Sequence, residues 1–328
     1  MKSERDTDEQ LRLAARLYYL DGMGQTEVAR FLKASQAKVS RMLALARQRG
    51  IVRISVAEYQ PRHTALEQQL CKRFGLTAAV VIKTVPGATI EETRQAVGHF
   101  GAPCVAGMIR PGSTVAIAGG RTIRELIEST PENKGQRLTV VQAMGSVDYT
   151  VGPVDALELG RRLARRTGGF FLALNTPAFV ADKRTRDSFM AHEQIRGLWR
   201  QLRQATVALV GVGTLDESVF VERGVFSPAD RRALKTAGAV GEICGRFYDT
   251  AGRECDTAWR DRVMSIELEQ VRRIPQVVAV VAGVDRAAAL AAAIRGGLVK
   301  TLLIDEAGAR ALLPTDEPPA GRKPGDTA

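Results

Sequence analysis

From residue 76 to residue 313, apolar runs of strand length alternate with stretches that carry a helical pattern. Continuous apolar strands that alternate with helices are typical of a largely parallel sheet with helices on both faces. The strand candidates are residues 78–82, 114–118, 138–142, 170–174, 206–211, 277–281 and 301–304. The helical stretches lie near residues 91–109, 121–129, 154–167, 184–203, 229–237, 285–295 and 306–313. The pattern predicts an α/β fold with a doubly wound sheet.

The first 57 residues read differently, as three short helices. The first helix covers residues 9–21, the second starts near Gln25, and Ser35 is placed to cap the third. One apolar stripe of the third helix consists of Val39, Met42, Leu43 and Ala46. A tight turn before the third helix predicts a helix-turn-helix, in which Lys33 takes the position that needs a positive φ. Alternation over residues 51–57 predicts a short strand, and with it a wing.

Charge in this region favours DNA as the partner. The chain carries a formal net charge of +11, and no acidic residue occurs from Val28 to Ala57. Small and polar residues at the start of the third helix allow it to approach base edges in the major groove. The residues assigned to the DNA-facing surface are Ser35, Gln36, Ala37, Lys38, Ser40 and Arg41, and those assigned to DNA phosphates are Arg47, Arg49 and Arg53. A solvated basic face or a protein-docking module remains the alternative.

One loop of the larger region suits a phosphate group. The strand candidate 114–118 runs into Gly119, Gly120, Arg121 and Thr122, and a helix begins at once. Glycines allow close approach of the backbone, and a helix N-terminus offers N–H groups to an anion. A plain strand-to-helix connection would use the same residues, so this alternative stays open.

Other candidates for ligand binding come later in the chain. A second glycine loop contains Gly213, but it lacks a full dinucleotide fingerprint because residue 216 is Asp. The segment 241–249 brings Glu242 and Asp249 near Arg246, which suits either sugar hydroxyls or an ordinary set of ion pairs. Arg286, at the start of a helix, adds a charge for an anion.

Catalytic and metal sites have little support in the sequence. The three histidines stand in unrelated contexts, no metal-ligand spacing occurs, and there is no nucleophile elbow. The four cysteines form no Cys-x-x-Cys pair, which fits a reducing compartment. We therefore expect no catalytic residues, no metal and no cofactor. No apolar stretch approaches the ~20 residues needed to span a bilayer, so a cytoplasmic protein without a membrane partner is expected.

Taken in order, these motifs resemble the SorC family of sugar-responsive bacterial transcription regulators, over roughly residues 10–313. In the first region the matching segments are residues 24–29, 38–43 and 49–55. In the larger region they are residues 66–70, 73–75, 119–122, 140–145, 211–213, 239–243, 246–249, 295–298 and 304–306.

The resemblance implies a winged helix-turn-helix joined to an effector domain with the fold of sugar-phosphate isomerases, assembled as a homotetramer. It also implies an effector site for a phosphorylated sugar. Its residues would be Gly119, Gly120, Arg121, Thr122, Gln142, Gly213, Glu242, Asp249 and Arg286, with Gly120, Arg121 and Thr122 on the phosphate and Gln142, Glu242 and Asp249 near the sugar. Arg286 stands where many relatives have Lys, Ile304 where Thr is usual, and Asp155 where Asn is common.

The sequence therefore predicts a DNA-binding domain over residues 1–57, a linker and connecting helix over 58–75, an effector domain over 76–313 and a disordered tail over 314–328. The predicted function is transcription regulation, with operator DNA and a phosphorylated sugar as partners. A sugar-phosphate isomerase-like enzyme with an appended DNA-binding module is the alternative. A structural DNA binder with an empty α/β domain is a third class.

Overall fold

Two compact units make up the chain, Met1–Tyr59 and Gln60–Ala328. The structure, a computed structural model, describes residues 7–57 and 59–313. The predicted tail over residues 314–328 lies outside the described residues. Among the residues described, no helix is both long and apolar enough to cross a lipid bilayer.

Three helices form the smaller unit. They are α1 (Asp8–Ala15, extended by a π-helical turn over Arg16–Leu20), α2 (Gln25–Phe31) and α3 (Gln36–Gln48). Their shared core contains Leu11, Ala14, Leu17, Val28, Val39, Met42, Leu43 and Ala46. All four residues of the predicted stripe on α3 are buried, as its helical spacing requires.

The turn between α2 and α3 follows the sequence prediction closely. Lys33 has φ 49°, the left-handed conformation expected at this position. The Ser35 hydroxyl accepts a hydrogen bond from the backbone N–H of Lys38 at 3.2 Å, so Ser35 is the N-cap of α3. Both predictions are confirmed.

The predicted strand over residues 51–57 is wrong. These residues adopt no regular structure, and the side chains of Ile54 and Val56 are 58% and 82% exposed. A strand needs a hydrogen-bonding partner, and the described part of the smaller unit contains no second strand to supply one. The wing that this strand would have formed is therefore absent from residues 51–57.

A seven-stranded sheet forms the centre of the larger unit. The chain contains β1 (Ala78–Ile82), β2 (Thr114–Ile117), β3 (Thr139–Gln142), β4 (Phe170–Leu172), β5 (Val207–Val210), β6 (Gly241–Ile243), β7 (Arg246–Tyr248), β8 (Gln276–Val280) and β9 (Thr301–Asp305). The sheet has the order β1-β9-β8-β5-β2-β3-β4, and all its neighbouring strands are parallel. Each of the seven predicted strands is present in it, with ends that differ by at most two residues.

Helices cover this sheet. They are α4 (Thr64–Phe74), α5 (Ile90–Met108), α6 (Arg121–Ser129), α7 (Ala156–Thr167), α8 (Lys183–Ala191), α9 (Glu193–Arg203), α10 (Val219–Glu222), α11 (Pro228–Thr236), α12 (Leu268–Arg273), α13 (Ala287–Arg295) and α14 (Glu306–Leu312). The helix predicted over residues 184–203 is divided into α8 and α9, because His192 between them has an extended backbone. The sequence reading missed α10 and α12.

The strands β6 and β7 form a separate antiparallel hairpin, which the sequence reading also missed. Cys244 and Gly245 form its two-residue turn, with φ values of 53° and 75°. Positive φ at both central residues is what a tight hairpin of this kind requires, and Gly245 supplies one of them without strain.

The order of the strands determines where a ligand site can form. From β2 the chain moves outward to β3 and β4, and then returns to place β5 on the other side of β2. At such a reversal the loops after adjacent strands diverge and leave a crevice at the carboxyl ends of the strands. The loops after β2 and β5 carry the two predicted glycine motifs, so the fold brings these motifs to one edge.

Candidate functional site

A cavity of about 350 Å³ lies at the carboxyl ends of β2 and β5. Seven of the nine residues predicted for the effector site line it, namely Gly119, Gly120, Arg121, Thr122, Gly213, Glu242 and Arg286. They come from the loop after β2, the start of α6, the loop after β5, the hairpin and the turn before α13. The fold thus assembles residues that are up to 167 positions apart, from Gly119 to Arg286.

The glycines after β2 are required by space and by backbone conformation. A Cβ atom at Gly119 would lie 2.7 Å from the carbonyl oxygen of Val154. Gly120 has φ 142° and is the N-cap residue of α6, and no side chain caps the helix by a hydrogen bond at this position. The first N–H groups of a helix have no partner within the helix, so those at the start of α6 are donors suited to an anion.

Of the five arginines that line this cavity, Arg94, Arg121 and Arg286 lie near enough for their charges to interact, and Arg94 was not predicted from the sequence. Arg94, from α5, lines the cavity together with Arg121 and Arg286, and its side chain is only 10% exposed. Burial lowers the pKa of Arg94, and the positive charges of Arg121 and Arg286 lower it further. Guanidinium groups are able to bind phosphate oxygens in a bidentate manner, so three of them close together are suited to an anion.

The position of Arg94 in its helix is the signal that was available. Arg94 shares the buried face of α5 with Val97, Gly98, Gly101 and Val105, at intervals of three and four residues. A charged side chain on an otherwise apolar stripe is rarely buried unless it is paired with another group, because removing a charge from water costs free energy. The sequence alone predicts which residues of α5 share this face, but it does not predict which residues of other helices pack against it.

Each of the three arginines has a carboxylate partner. The Nη1 atom of Arg94 lies 3.2 Å from Oε1 of Glu91. The Nη2 atom of Arg121 lies 2.8 Å from Oε1 of Glu222, and that of Arg286 lies 2.5 Å from Oε2 of Glu217. An anionic ligand at the arginines would therefore meet carboxylates that already occupy them.

Glu242 is the buried carboxyl group of the cavity. Its side chain is partly accessible through the cavity but is enclosed by protein on its other sides, and this desolvation raises its pKa to about 7. One of its oxygens accepts a hydrogen bond from the Gly245 N–H at 2.7 Å. Beside it, burial raises the pKa of the Cys244 thiol to about 12, so this thiol stays protonated at neutral pH.

Gln142 and Asp249 are not among the residues that line the cavity. The Gln142 side chain is buried at the end of β3, where it donates to the carbonyl oxygen of Met144 at 2.8 Å and accepts from the Leu174 N–H at 2.9 Å. Asp249 caps the turn after β7 by accepting from the N–H groups of Ala251 and Arg253, both at 2.9 Å. Both side chains make hydrogen bonds within the protein, and their place near the sugar stays a prediction.

The predicted cluster over residues 241–249 is also divided. Arg246 is 3% exposed and pairs with Glu254 at 2.7 Å, away from Glu242. Of the two interpretations left open, the set of ion pairs describes Arg246 and Asp249, whereas Glu242 lines the cavity, together with Cys244 and Gly245. Asp155 lines the cavity as well, and it caps α7 by accepting from the Leu157 N–H at 2.7 Å.

On the smaller unit, most of the predicted DNA-facing residues are exposed. Ser35, Gln36, Ala37, Ser40, Arg41, Arg47, Arg49 and Arg53 are exposed and Lys38 is half-buried. The Nε of Arg41 lies 3.4 Å from the carbonyl oxygen of Ala37, one turn earlier on α3. Arg49 is paired with Asp8 at 2.6 Å, so it ties the end of α3 to the start of α1.

Residues 60–314 match the sequence family described as "Putative sugar-binding domain". The chain is 28% identical over 320 residues to the "Uncharacterized transcriptional regulator YjhU" of Escherichia coli (strain K12), which covers 95% of this chain and 96% of that protein. It is 28% identical over 311 residues to the sorbitol operon regulator of Klebsiella pneumoniae, covering 91% of this chain and 96% of the relative. The crystal structure of that full-length regulator, SorC, aligns with a TM-score of 0.74 and 26% identity, over 94% of this chain and 99% of that chain.

Proposed function

Because this chain belongs to the SorC family of sugar-responsive transcription regulators, we propose that a phosphorylated sugar bound in its larger unit controls its binding to operator DNA. Binding of the effector would change the affinity for DNA by a coupling free energy of ~1–3 kcal/mol.

The observation that carries the proposal is the convergence of three guanidinium groups and a helix N-terminus on one cavity. Arg94, Arg121 and Arg286 supply the charge, and the loop Gly119–Gly120 with Thr122 supplies short-range donors. The volume of about 350 Å³ lies at the small end of ligand sites, which usually enclose ~300–1,000 Å³. A monosaccharide phosphate therefore suits the cavity better than a dinucleotide.

At the other end of the cavity we place the sugar. Glu242 has a pKa of about 7, so it is able to donate a hydrogen bond to a sugar hydroxyl when protonated and to accept one when ionised. Gln142 and Asp249 hold the end of β3 and the turn after β7 in place through hydrogen bonds to backbone groups.

For the smaller unit we propose a helix-turn-helix in which α3 enters the major groove. Ser35, Gln36, Ala37, Lys38, Ser40 and Arg41 would face bases, and Arg47, Arg49 and Arg53 would contact phosphates. Arg49 would exchange Asp8 for a DNA phosphate. We also propose a homotetramer in the cytoplasm, in which symmetry-related units read half-sites ~34–36 Å apart or multiples of that spacing.

Fluorescence anisotropy tests this proposal with DNA from the region upstream of the protein's own operon, at two salt concentrations. Each titration is repeated with a panel of sugar phosphates and their unphosphorylated sugars. We expect specific binding that one sugar phosphate alters. Salt-sensitive binding without sequence preference or ligand effect would contradict the proposal.

A substitution separates the phosphate assignment from the rest. Arg121→Ala should remove the response to the effector and leave DNA binding without effector intact. Arg162→Ala is the matched control, because Arg162 pairs with Glu158 and Glu128 and is not among the residues that line the cavity. An unchanged dose response in Arg121→Ala would contradict the phosphate assignment.

One observation favours a second function, that of a sugar-phosphate isomerase-like enzyme with an appended DNA-binding module. A carboxyl group with a pKa of about 7, such as Glu242 in the cavity, is suited to proton transfer at neutral pH. Turnover of pentose or hexosamine phosphates that disappears in Glu242→Gln would support the enzyme. Lack of turnover across the panel would contradict the enzyme and leave transcription regulation as the proposed function.

A further inference from the structure

The ion pairs at the arginines form a wall between two cavities. A second cavity, of about 670 Å³, is lined by residues 84–88, the start of α5 and the turn before α13. Five residues line both cavities, namely Arg94, Arg121, Glu217, Glu222 and Arg286. The pairs Arg121–Glu222 and Arg286–Glu217 thus lie at the boundary that the two cavities share.

Both carboxylates come from one short segment. Glu217 lies in the turn after β5 and Glu222 is the last residue of α10, whereas the arginines come from α5, α6 and the turn before α13. Phe220, between the two glutamates, is fully buried in the core. Ser218 caps α10 by accepting from the Phe220 N–H at 3.3 Å. The segment is therefore held independently of its ion pairs, and the glutamate side chains are free to leave the arginines without unfolding it.

The charges in this wall are balanced. Three guanidinium groups face three carboxylates, those of Glu91, Glu217 and Glu222. The glutamates at 217 and 222 are 45% and 47% exposed, so water can hydrate them after they leave the arginines. A phosphate dianion carries the charge of two carboxylates on one group and offers three acceptor oxygens to the guanidinium forks.

We propose that Glu217 and Glu222 are internal competitors of the effector's phosphate, which exchanges with them at Arg121 and Arg286. The exchange makes binding dependent on a ligand with enough negative charge to replace both carboxylates. A neutral sugar of the same shape leaves both ion pairs in place. This inference rests on the proposed phosphate site and adds the residues that determine its selectivity for charge.

A different role for the same glutamates would have the opposite effect. If Glu217 or Glu222 bound sugar hydroxyls directly, or held an arginine in its productive position, their neutralisation would weaken binding. Competition predicts tighter binding instead. The sign of the change in affinity therefore decides between these roles.

The test uses the full-length protein and isothermal titration with inorganic phosphate at constant ionic strength. The variants are Glu217→Gln, Glu222→Gln and the double variant, which keep the size of the side chains. The matched control is Glu128→Gln, since Glu128 is 42% exposed, is paired with Arg162 at 3.0 Å and is not among the cavity-lining residues. Thermal unfolding of each variant checks that it folds.

We expect phosphate to bind about twofold to fivefold more tightly in each single variant and about tenfold more tightly in the double variant, because ion pairs with a half-exposed carboxylate contribute modestly. The half-maximal concentration of the sugar phosphate that alters DNA binding should fall by the same factors. Glu128→Gln should match the wild type.

The outcomes separate this inference from the proposed function. Equal or weaker phosphate binding in the double variant overturns the competition and leaves the phosphate site standing. Lack of phosphate binding in the wild type and in every variant, with DNA binding modulated by an unphosphorylated sugar, overturns both. Phosphate binding that is detectable only in the double variant supports the competition.

Discussion

A Cβ atom at Gly213 would lie 2.7 Å from the Oε1 of Glu242. The two residues also exchange both backbone hydrogen bonds, each at 3.0 Å. The loop after β5 and the hairpin are therefore joined at the cavity, and the glycine provides the space that the buried carboxyl group occupies.

Gly213→Ala should shift Glu242 and weaken both folding and ligand binding. Overpacking of this kind costs ~1–3 kcal/mol of unfolding free energy, which urea denaturation measures. Gly211→Ala is the matched control, because the nearest atom to its Cβ would be at 3.9 Å, the carbonyl oxygen of Gly119. Equal losses of unfolding free energy in the two variants would show that close packing between Gly213 and Glu242 does not limit stability.

Glu242 should make the stability of the protein depend on pH. Its pKa is about 7 in the folded protein, against an ordinary value of 4.5, so the folded state binds the proton more tightly than the unfolded state. The unfolding free energy should therefore fall as pH rises from about 4.5 to about 7, by on the order of 3 kcal/mol from this group.

Glu242→Gln provides the reference for that measurement, since its amide does not titrate and still offers an oxygen to the Gly245 N–H. The difference in unfolding free energy between variant and wild type should grow from pH 5 to pH 8. A difference that does not change with pH would mean that the carboxyl group titrates near its ordinary value.

Arg94→Ala should weaken sugar-phosphate binding by about tenfold to a hundredfold, because a charge-assisted hydrogen bond contributes ~1.5–3 kcal/mol. DNA binding without effector should stay as in the wild type. Arg94→Lys keeps the charge but not the planar fork and should give an intermediate loss. Isothermal titration measures the affinities, and wild-type affinity in Arg94→Ala would show that the arginine only supports the cavity wall.

Arg41→Ala should cost ~1–3 kcal/mol on the operator, since an arginine at this place on α3 is able to bind a guanine through two hydrogen bonds. The loss on random DNA should be smaller. Arg47→Ala is the comparison, and it should weaken binding to both DNAs equally because a phosphate contact carries no sequence information. Equal losses for Arg41→Ala on the two DNAs would assign Arg41 to the backbone.

Asp8→Asn should release Arg49 from its ion pair at 2.6 Å. Unfolding free energy should fall by only ~0.2–1 kcal/mol, since both side chains are half-exposed, while binding to random DNA should become tighter. Arg49→Ala in the same assay should bind more weakly than the wild type. Unchanged DNA affinity in both variants would show that Arg49 serves the fold of the smaller unit alone.

The periodicity of the chain was sufficient to predict most of the secondary structure. Strands such as β1 and β9, which are buried in the sheet, are continuous apolar runs, and the sequence shows their length and place. Residues 51–57 instead alternate between apolar and polar side chains, which also predicted a strand, and yet they form none. Alternation indicates which side chains a strand would bury. A strand also needs a second strand as its hydrogen-bonding partner, and the presence of that partner depends on the rest of the fold.

Local signals likewise identified only part of the candidate site. The two glycine loops follow strands whose ends meet at the reversal of strand order, and both line the cavity, as their place after strands indicated. Gln142 and Asp249 carry suitable polar groups, but the protein's own backbone uses them. Arg94 was missed because nothing near it in the sequence indicates that α5 faces Arg121 and Arg286.

The sequence by itself determined the α/β class, the turn at Lys33, the cap at Ser35 and the glycine loop that leads into α6, because each depends on covalent geometry or on contacts within a few residues. Only the tertiary structure decided that Arg94 joins Arg121 and Arg286 at one cavity and that Glu217 and Glu222 pair with two of these arginines. Electrostatic interactions act through space, and the distances between these groups follow from the order of the strands rather than from their spacing along the chain.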